Sequence, residues 1–279
     1  MDLFASTPGV NSTSYSKVRV GIGGWTYAPW RGGMFYPAGL VQRRELEYAS
    51  RQLNSIEING TYYGTQKPAT YAKWRDETPE GFVFSAKAPQ RIMESRALEK
   101  TGPQIEDFIG GISELGEKMG PLVWQFDKGQ RLDARAFEEF VELLPAEHGG
   151  RRLRHVLDVR DPAFITPSYL ALARRHGMAT VFTDSNDYPS FADLTADFVY
   201  ARLMKSQSGI ETGYPAAELD AWSERARAWL QGADPEDLPH EESERHSAAP
   251  RDIFLYFISS AKERNPAAAM DLLRRLQDA

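Results

Sequence analysis

The sequence contains no cysteine, which removes disulfide bridges, thiolate nucleophiles and thiolate-bound zinc in one step. A chain without thiols fits a reducing compartment, and a cytoplasmic location is the expectation. Histidine is scarce, with five among 279 residues. His155 opens an apolar run at the wrong end for a site, and His148, His176, His240 and His246 fall in loops or at helix ends. A histidine-rich metal centre is therefore not expected. No apolar stretch approaches the ~20 residues needed to span a bilayer, so no membrane association is expected. Residues 1–17 lack both the basic and the apolar region of a secretion signal and read as a flexible leader. An excess of basic residues is also missing. The 33 Lys and Arg against 39 Asp and Glu leave a net charge of −6, which argues against a global pull toward nucleic acid or anionic lipid and leaves open only a local basic patch.

What is present is ample apolar material, 42% of residues, in a length that α/β barrels commonly use as one domain of ~250 residues. Residues 18–279 are expected to form that single domain. Short apolar runs alternate with amphipathic stretches at helical spacing. The runs lie at 18–23, 55–59, 82–87, 122–126, 155–160, 179–184, 198–202 and 253–257. Between them, helices are expected over 43–52, 69–77, 104–119, 134–144, 167–176, with Gly177 as a stop, and 216–230; a last helix follows at 266–276. Eight strands separated mostly by helices predict an α/β fold of the TIM-type (β/α)8 barrel, with irregular helices. A doubly wound sheet would show the same alternation with fewer strands. The polar stretch 232–250, broken by Pro235, Pro239 and Pro250, reads as a long surface loop before the last strand.

Alternate residues of a strand share a face, and several runs end in polar groups two residues apart. Glu57 and Asn59 form one such pair, Ser85 and Lys87 another, Asp158 and Arg160 a third. Gln125, Asp184 and Arg202 each close a mostly apolar run. Unpaired charge is costly to bury, and barrel enzymes keep their sites at the carboxyl ends of the strands, so these residues are the candidate site. The competing reading is that ion pairs such as Glu57 with Lys87 simply close the barrel mouth.

The ordered motifs are specific enough to support a resemblance. Gly21-Ile22-Gly23-Gly24-Trp25-Thr26-Tyr27, Trp30-Arg31-Gly32 and Phe35-Tyr36-Pro37 come first. Ile56-Glu57-Ile58-Asn59 with Thr61-Tyr62-Tyr63, then Phe84-Ser85-Ala86-Lys87-Ala88-Pro89, follow. Pro121-Leu122-Val123-Trp124-Gln125-Phe126, Val156-Leu157-Asp158-Val159-Arg160 and Tyr200-Ala201-Arg202-Leu203 complete the set. From Val18 to Leu276 the chain resembles the YecE-like family, also called domain of unknown function 72. The resemblance implies a barrel and no settled activity. The chain departs from the family pattern at Asp158 and Asp161, at Met204-Lys205, and at Ile258-Ser259-Ser260.

The Gly21–Gly24 segment lacks the third glycine of a dinucleotide loop, and Trp25 stands where a helix should open. Its glycines instead predict a tight turn at the mouth, with Trp25, Tyr27 and Trp30 as an aromatic wall or, above all for Trp30, as core. No serine sits on a nucleophile elbow. Lys87, Arg160, Arg202 and Lys205 against Glu57, Asp158 and Asp184 point to a small anionic ligand, phosphorylated or carboxylated. The expected roles are Glu57, Lys87 and Asp158 for proton or Schiff-base chemistry. Trp25, Tyr27, Asn59, Gln125, Arg160, Asp184, Arg202 and Lys205 would bind substrate. No cofactor is expected. Two alternatives stand beside this reading. One is a divalent-metal phosphodiesterase or nuclease using Glu57, Asp158 and Asp184 as oxygen ligands. The other is a binding protein without turnover.

Overall fold

The computed structural model describes residues 17–130, 134–242 and 249–277. The expected leader, apart from Lys17, and residues 243–248 of the expected loop lie outside the described residues. Eight strands form a closed barrel: β1 Val18–Gly23, β2 Ser55–Ile58, β3 Val83–Lys87, β4 Met119–Phe126, β5 His155–Val159, β6 Ala179–Thr183, β7 Phe198–Leu203 and β8 Asp252–Phe257. Each pairs in parallel with its neighbour in the chain. β8 returns to β1 in a register running from Val18 opposite Ile253 to Ile22 opposite Phe257. That last pairing separates the barrel from the doubly wound sheet.

The strand runs are almost wholly apolar because both of their faces are buried, the general condition of parallel sheets. The period of two sorts the side chains into two cores. Val123, Val156, Ala179, Val181, Phe198, Tyr200, Phe254 and Tyr256 fill the barrel. Their strand neighbours, among them Ile22, Ile56, Phe84, Trp124, Leu157 and Leu255, face the surrounding helices. The helices meet them with matching stripes. In Gly102–Ile112, Ile105, Phe108, Ile109 and Ile112 are buried; in Ala134–Glu142, Phe137, Phe140 and Val141 are. Each such side chain contributes about 1.5–3 kcal/mol when fully buried. Pro167–Arg175 is capped as its sequence predicts. Thr166 accepts from the Tyr169 amide at 3.2 Å, Pro167 takes the first turn, and Gly177 ends the helix at φ 60°.

The irregularities matter for the site. No helix follows β6: residues 184–197 cross to β7 as an irregular segment with bends. The helix expected to reach Met119 ends at Ile112 and passes through a 3-10 turn, Ser113–Lys118. A four-residue helix, Gly60–Tyr63, sits directly above β2. The long connection from Ala216–Leu230 to β8 is held down from both sides. The Asp193 carboxylate accepts from the Glu241 and Glu242 amides at 2.8 and 3.0 Å. The Ala192 amide donates to Pro239 O at 2.8 Å. Asp193 neighbours Thr195, which bonds Met178 and Thr180 at the start of β6, so this part of the loop belongs to the amino-terminal end of the barrel, away from the mouth.

Candidate functional site

The barrel interior changes character along its axis. At its middle, two tyrosines reach across the strands. Tyr256 Oη meets Ser55 Oγ at 2.7 Å, and Ser55 donates on to Val83 O at 2.7 Å. Tyr200 Oη lies 2.8 Å from Ser85 Oγ and donates to Glu57 Oε2 at 2.5 Å. Gly21 makes this layer close: a Cβ there would stand 2.1 Å from Ser55 O. The glycine is thus required by the approach of β1 to β2, beside the turn role expected for its segment; the turn itself falls at Gly24, with φ 73°.

One layer higher stands Arg202, from β7, 2% exposed. Its Nε and Nη2 donate to the two oxygens of Glu57 at 3.0 and 2.9 Å, a bidentate pair. Its Nη1 donates to Asp158 Oδ2 at 2.5 Å and to Gln125 Oε1 at 3.3 Å. Burial works against the guanidinium charge, but Glu57 and Asp158 outweigh it and hold the Arg202 pKa above its ordinary value. The expected Glu57–Lys87 pair is not the one formed. Arg202 has the planar fork that two carboxylates from separate strands, β2 and β5, can share across the barrel, which a lysine lacks. The Asp158–Arg160 pair does form, with Arg160 Nε and Nη2 both 3.3 Å from Asp158 Oδ2.

Above this layer opens a cleft of about 350 Å³. Gly23, Asn59, Tyr62, Tyr63, Lys87 and Gln125 line one part of it; Arg160, Arg202, Ile258, Ser259, Lys262 and Asn265 line the rest. Every charged side chain in that lining is a cation, and Glu57 and Asp158 lie beneath the wall, engaged with Arg202. Lys87 Nζ makes no ion pair or hydrogen bond with a described residue; it rests 3.8 Å from the centroid of the Tyr62 ring. Burial pushes its pKa down to about 8, helped by Arg202 and Arg160. Lys262 Nζ likewise has no described carboxylate partner. It stands 4.8 Å from the Tyr27 ring and 5.5 Å from the Trp30 ring, and burial lowers its pKa. Gln125 Nε2 donates to Asp127 Oδ1 at 2.5 Å, while the Asn59 side chain makes no hydrogen bond with a described residue. Tyr62 donates to Glu94 Oε1 at 3.0 Å, and burial together with that carboxylate keeps its phenol protonated.

The structure thus brings Glu57, Asn59, Lys87, Gln125, Asp158, Arg160 and Arg202 together and leaves the other expected residues aside. Trp25 turns away from the cleft and meets Trp74 edge-on, centroids 4.8 Å apart. Trp30 is fully buried and donates to Lys262 O at 2.8 Å, so it is core. Tyr27 touches the site only through the Lys262 ammonium above its ring. Asp184 accepts from the Met204 amide at 2.5 Å and from Tyr214 at 2.8 Å, fixing the segment after β7 instead of facing the cleft. Lys205 is exposed and outside the lining. The oxygen-ligand set Glu57, Asp158 and Asp184 is therefore not assembled. Among the described residues no three His, Asp or Glu side chains are grouped to hold a metal ion.

Sequence reasoning missed Tyr62, Ser259, Lys262 and Asn265. Tyr62 stands in a quoted motif whose Gly60–Tyr63 helix was not anticipated. The other three follow β8, whose carboxyl end also opens on the mouth. There Ser259 and Ser260 both take left-handed backbone, φ 62° and 44°, a conformation that costs a non-glycine residue about 1–2 kcal/mol. Ser260 Oγ bonds Met204 O, and Asn265 Nδ2 donates to Ser259 O at 3.3 Å. These bonds hold the strained pair against the rim.

No helix among the described residues is long and apolar enough to cross a membrane. A family model described as protein of unknown function DUF72 matches residues 19–279. The UPF0759 protein YecE of Escherichia coli K12 is 27% identical over 149 residues, which are 53% of this chain and 50% of that protein. The chain thus spans about half the length of the curated relatives it matches. A solved DUF72 family protein of Thermotoga maritima superposes with a TM-score of 0.70 at 18% identity, covering 93% of this chain and 98% of the other. One from Enterococcus faecalis gives 0.61 at 14%, covering 94% and 96%. At those identities the likeness is one of fold.

Proposed function

We propose, for a chain that belongs to the DUF72 family of proteins of unknown function, that the cleft binds a small anion bearing a carboxylate or phosphate group and acts on it by proton transfer. The observation that carries this reading is the all-cationic charge of the cleft wall in a chain whose net charge is −6. Lys87, Arg160 and Lys262 are the groups that hold the anion. Arg160 uses only part of its fork on Asp158, and the two lysines have no described carboxylate of their own.

The remaining roles follow from burial. Arg202 is committed to Glu57 and Asp158, so it sets the floor of the cleft and fixes the two carboxylates. Lys87, with its pKa near 8, is the group that exchanges a proton near neutrality. Asp158, held by Arg202, lies beneath the cleft wall and positions Arg160 at the cleft edge. Asn59 and Gln125 offer amide groups to polar substituents of the ligand.

The test is calorimetric titration of the protein with inorganic phosphate and with small dicarboxylates, together with elemental analysis of the protein as purified. Binding that weakens about tenfold or more in Arg160→Ala is the expected result, a loss of one charge-assisted contact. A stoichiometric divalent metal, or no affinity for any of these anions, would sink the reading.

A further inference from the structure

Among the cations of the cleft, Lys87 is the one at a strand end that has no anionic partner among the described residues. Arg202 takes both oxygens of Glu57 and shares Asp158 with Arg160. Lys262 reaches the cleft from the loop after β8, over Tyr27 and Trp30, and is not at a strand end. The carboxylates within electrostatic reach of Lys87 are thus already claimed by guanidinium groups, which face its ammonium as like charges. A residue needed only to grip an anion would be better as arginine, which presents a fork and does not titrate. A half-buried lysine among arginines is instead a good source of free amine, the requirement for attack on a carbonyl.

Resting on the anion-binding reading, we infer that Lys87 forms an imine with a small aldehyde or ketone that also carries a carboxylate or phosphate group. Nζ bonds to the carbonyl carbon while Arg160 and Lys262 hold the acid group. The exchange balances within the two molecules. A C–N double bond forms and the C–O double bond breaks. The two protons lost from the ammonium leave with the carbonyl oxygen as water. The positive charge passes from ammonium to iminium, so no oxidant or reductant enters. The side-chain amide of Asn59, free of described partners on the same cleft wall, can hydrogen-bond the hydroxyl of the carbinolamine before it departs. The iminium then withdraws electrons from the neighbouring carbon, which is where proton transfer would follow.

The experiment uses the intact protein, glyoxylate as an acid-bearing carbonyl, acetaldehyde as one without an acid group, and sodium cyanoborohydride to trap the imine. Peptide mass mapping at short times then gives the labelling rate of each lysine. Lys87 is expected to be labelled by glyoxylate at least about tenfold faster than the exposed Lys73, and inorganic phosphate should protect it. Lys87→Arg should lose the label while keeping the circular dichroism spectrum of the parent. Labelling of Lys87 no faster than Lys73 by either reagent overturns the imine. If phosphate still binds by calorimetry in that case, the anion reading survives alone. Labelling of Lys87 by both reagents at equal rates without protection has the opposite meaning: the imine stands and the anion reading falls.

Discussion

At the amino-terminal ends of the strands, Arg154 lies 5.5 Å from the rings of both Phe198 and Phe254, with its guanidinium on Asp252. Nearby Arg152 pairs with Asp197, and the Lys118 ammonium donates to Thr78 Oγ1 at 3.0 Å and to two backbone carbonyls. His155 is buried there, accepting from Trp124 Nε1 at 3.0 Å through Nδ1 and donating from Nε2 to Pro145 O at 2.8 Å. At the carboxyl ends, Lys87 and Lys262 have no such partners among the described residues, and Ser259 and Ser260 carry strained backbone. The same chain can plainly satisfy its cations; it does so at one end, and at the other it pairs Arg202 and Arg160 but leaves the two lysines without a described carboxylate. The difference separates polar residues that complete the fold from those kept free for a ligand. Arg202 stands on the boundary, buried and fully engaged, yet forming the floor of the open cleft.

Arg202→Met is the most severe way to test that boundary. It leaves Glu57 buried without its counter-charge and Asp158 with only the longer contact to Arg160, and a stability loss of about 3–5 kcal/mol is expected, read as a fall in the urea midpoint. A midpoint unchanged from the parent would place Arg202 with the ligand-binding cations instead. His155 tests the paired end. Burial pushes its pKa down to about 4, below the ordinary ~6.5 of the unfolded chain. Between those two values the unfolded state binds the proton and the folded state does not, so stability rises with pH across that window and is lost as pH falls. The expected loss between pH 7 and pH 5 is about 2 kcal/mol from this residue. His155→Gln should flatten that part of the pH profile of urea unfolding.

The open end should respond in binding more than in stability. Lys87→Met is expected to weaken phosphate or dicarboxylate binding about tenfold. In the parent protein, affinity should decline as pH rises through about 8, where the free Lys87 loses its charge. A binding isotherm that is flat from pH 7 to 9 would remove Lys87 from the anion site. The smallest effect is expected at Lys205, which the sequence groups with these cations and the fold leaves exposed. Lys205→Ala should change neither binding nor midpoint, and a tenfold loss of affinity there would redraw the cleft.

Much of the fold is legible along the chain because it rests on local periodicity. β1 and the helix Ala216–Leu230 have the bounds the pattern predicts, since apolar alternation and helical spacing mark them directly. The irregular crossover 184–197 and the small helix Gly60–Tyr63 were not legible; they are fixed by contacts with distant segments, such as Asp193 with the loop at 241–242. The site divides in the same way. Polar residues at the carboxyl ends of β2, β3, β4, β5 and β7 were marked by interrupting apolar runs. Lys262 and Asn265 interrupt nothing, being set in a polar loop, and only barrel closure brings β8 beside β1 and carries that loop to the mouth.

The sequence by itself therefore determined the alternation of eight strands with helices and which strand ends carry polar groups, because these depend on spacing within short segments, whereas closure into a barrel is decided by the pairing of β8 with β1. Tertiary structure alone decided which charges meet across strands. Glu57, Asp158 and Arg202 lie far apart in the chain, and the preference of Arg202 for both carboxylates over the simpler Glu57–Lys87 pair depends on inter-strand geometry. That choice leaves Lys87 without a described carboxylate partner, because a guanidinium can satisfy two buried carboxylates at once and an ammonium cannot match its fork.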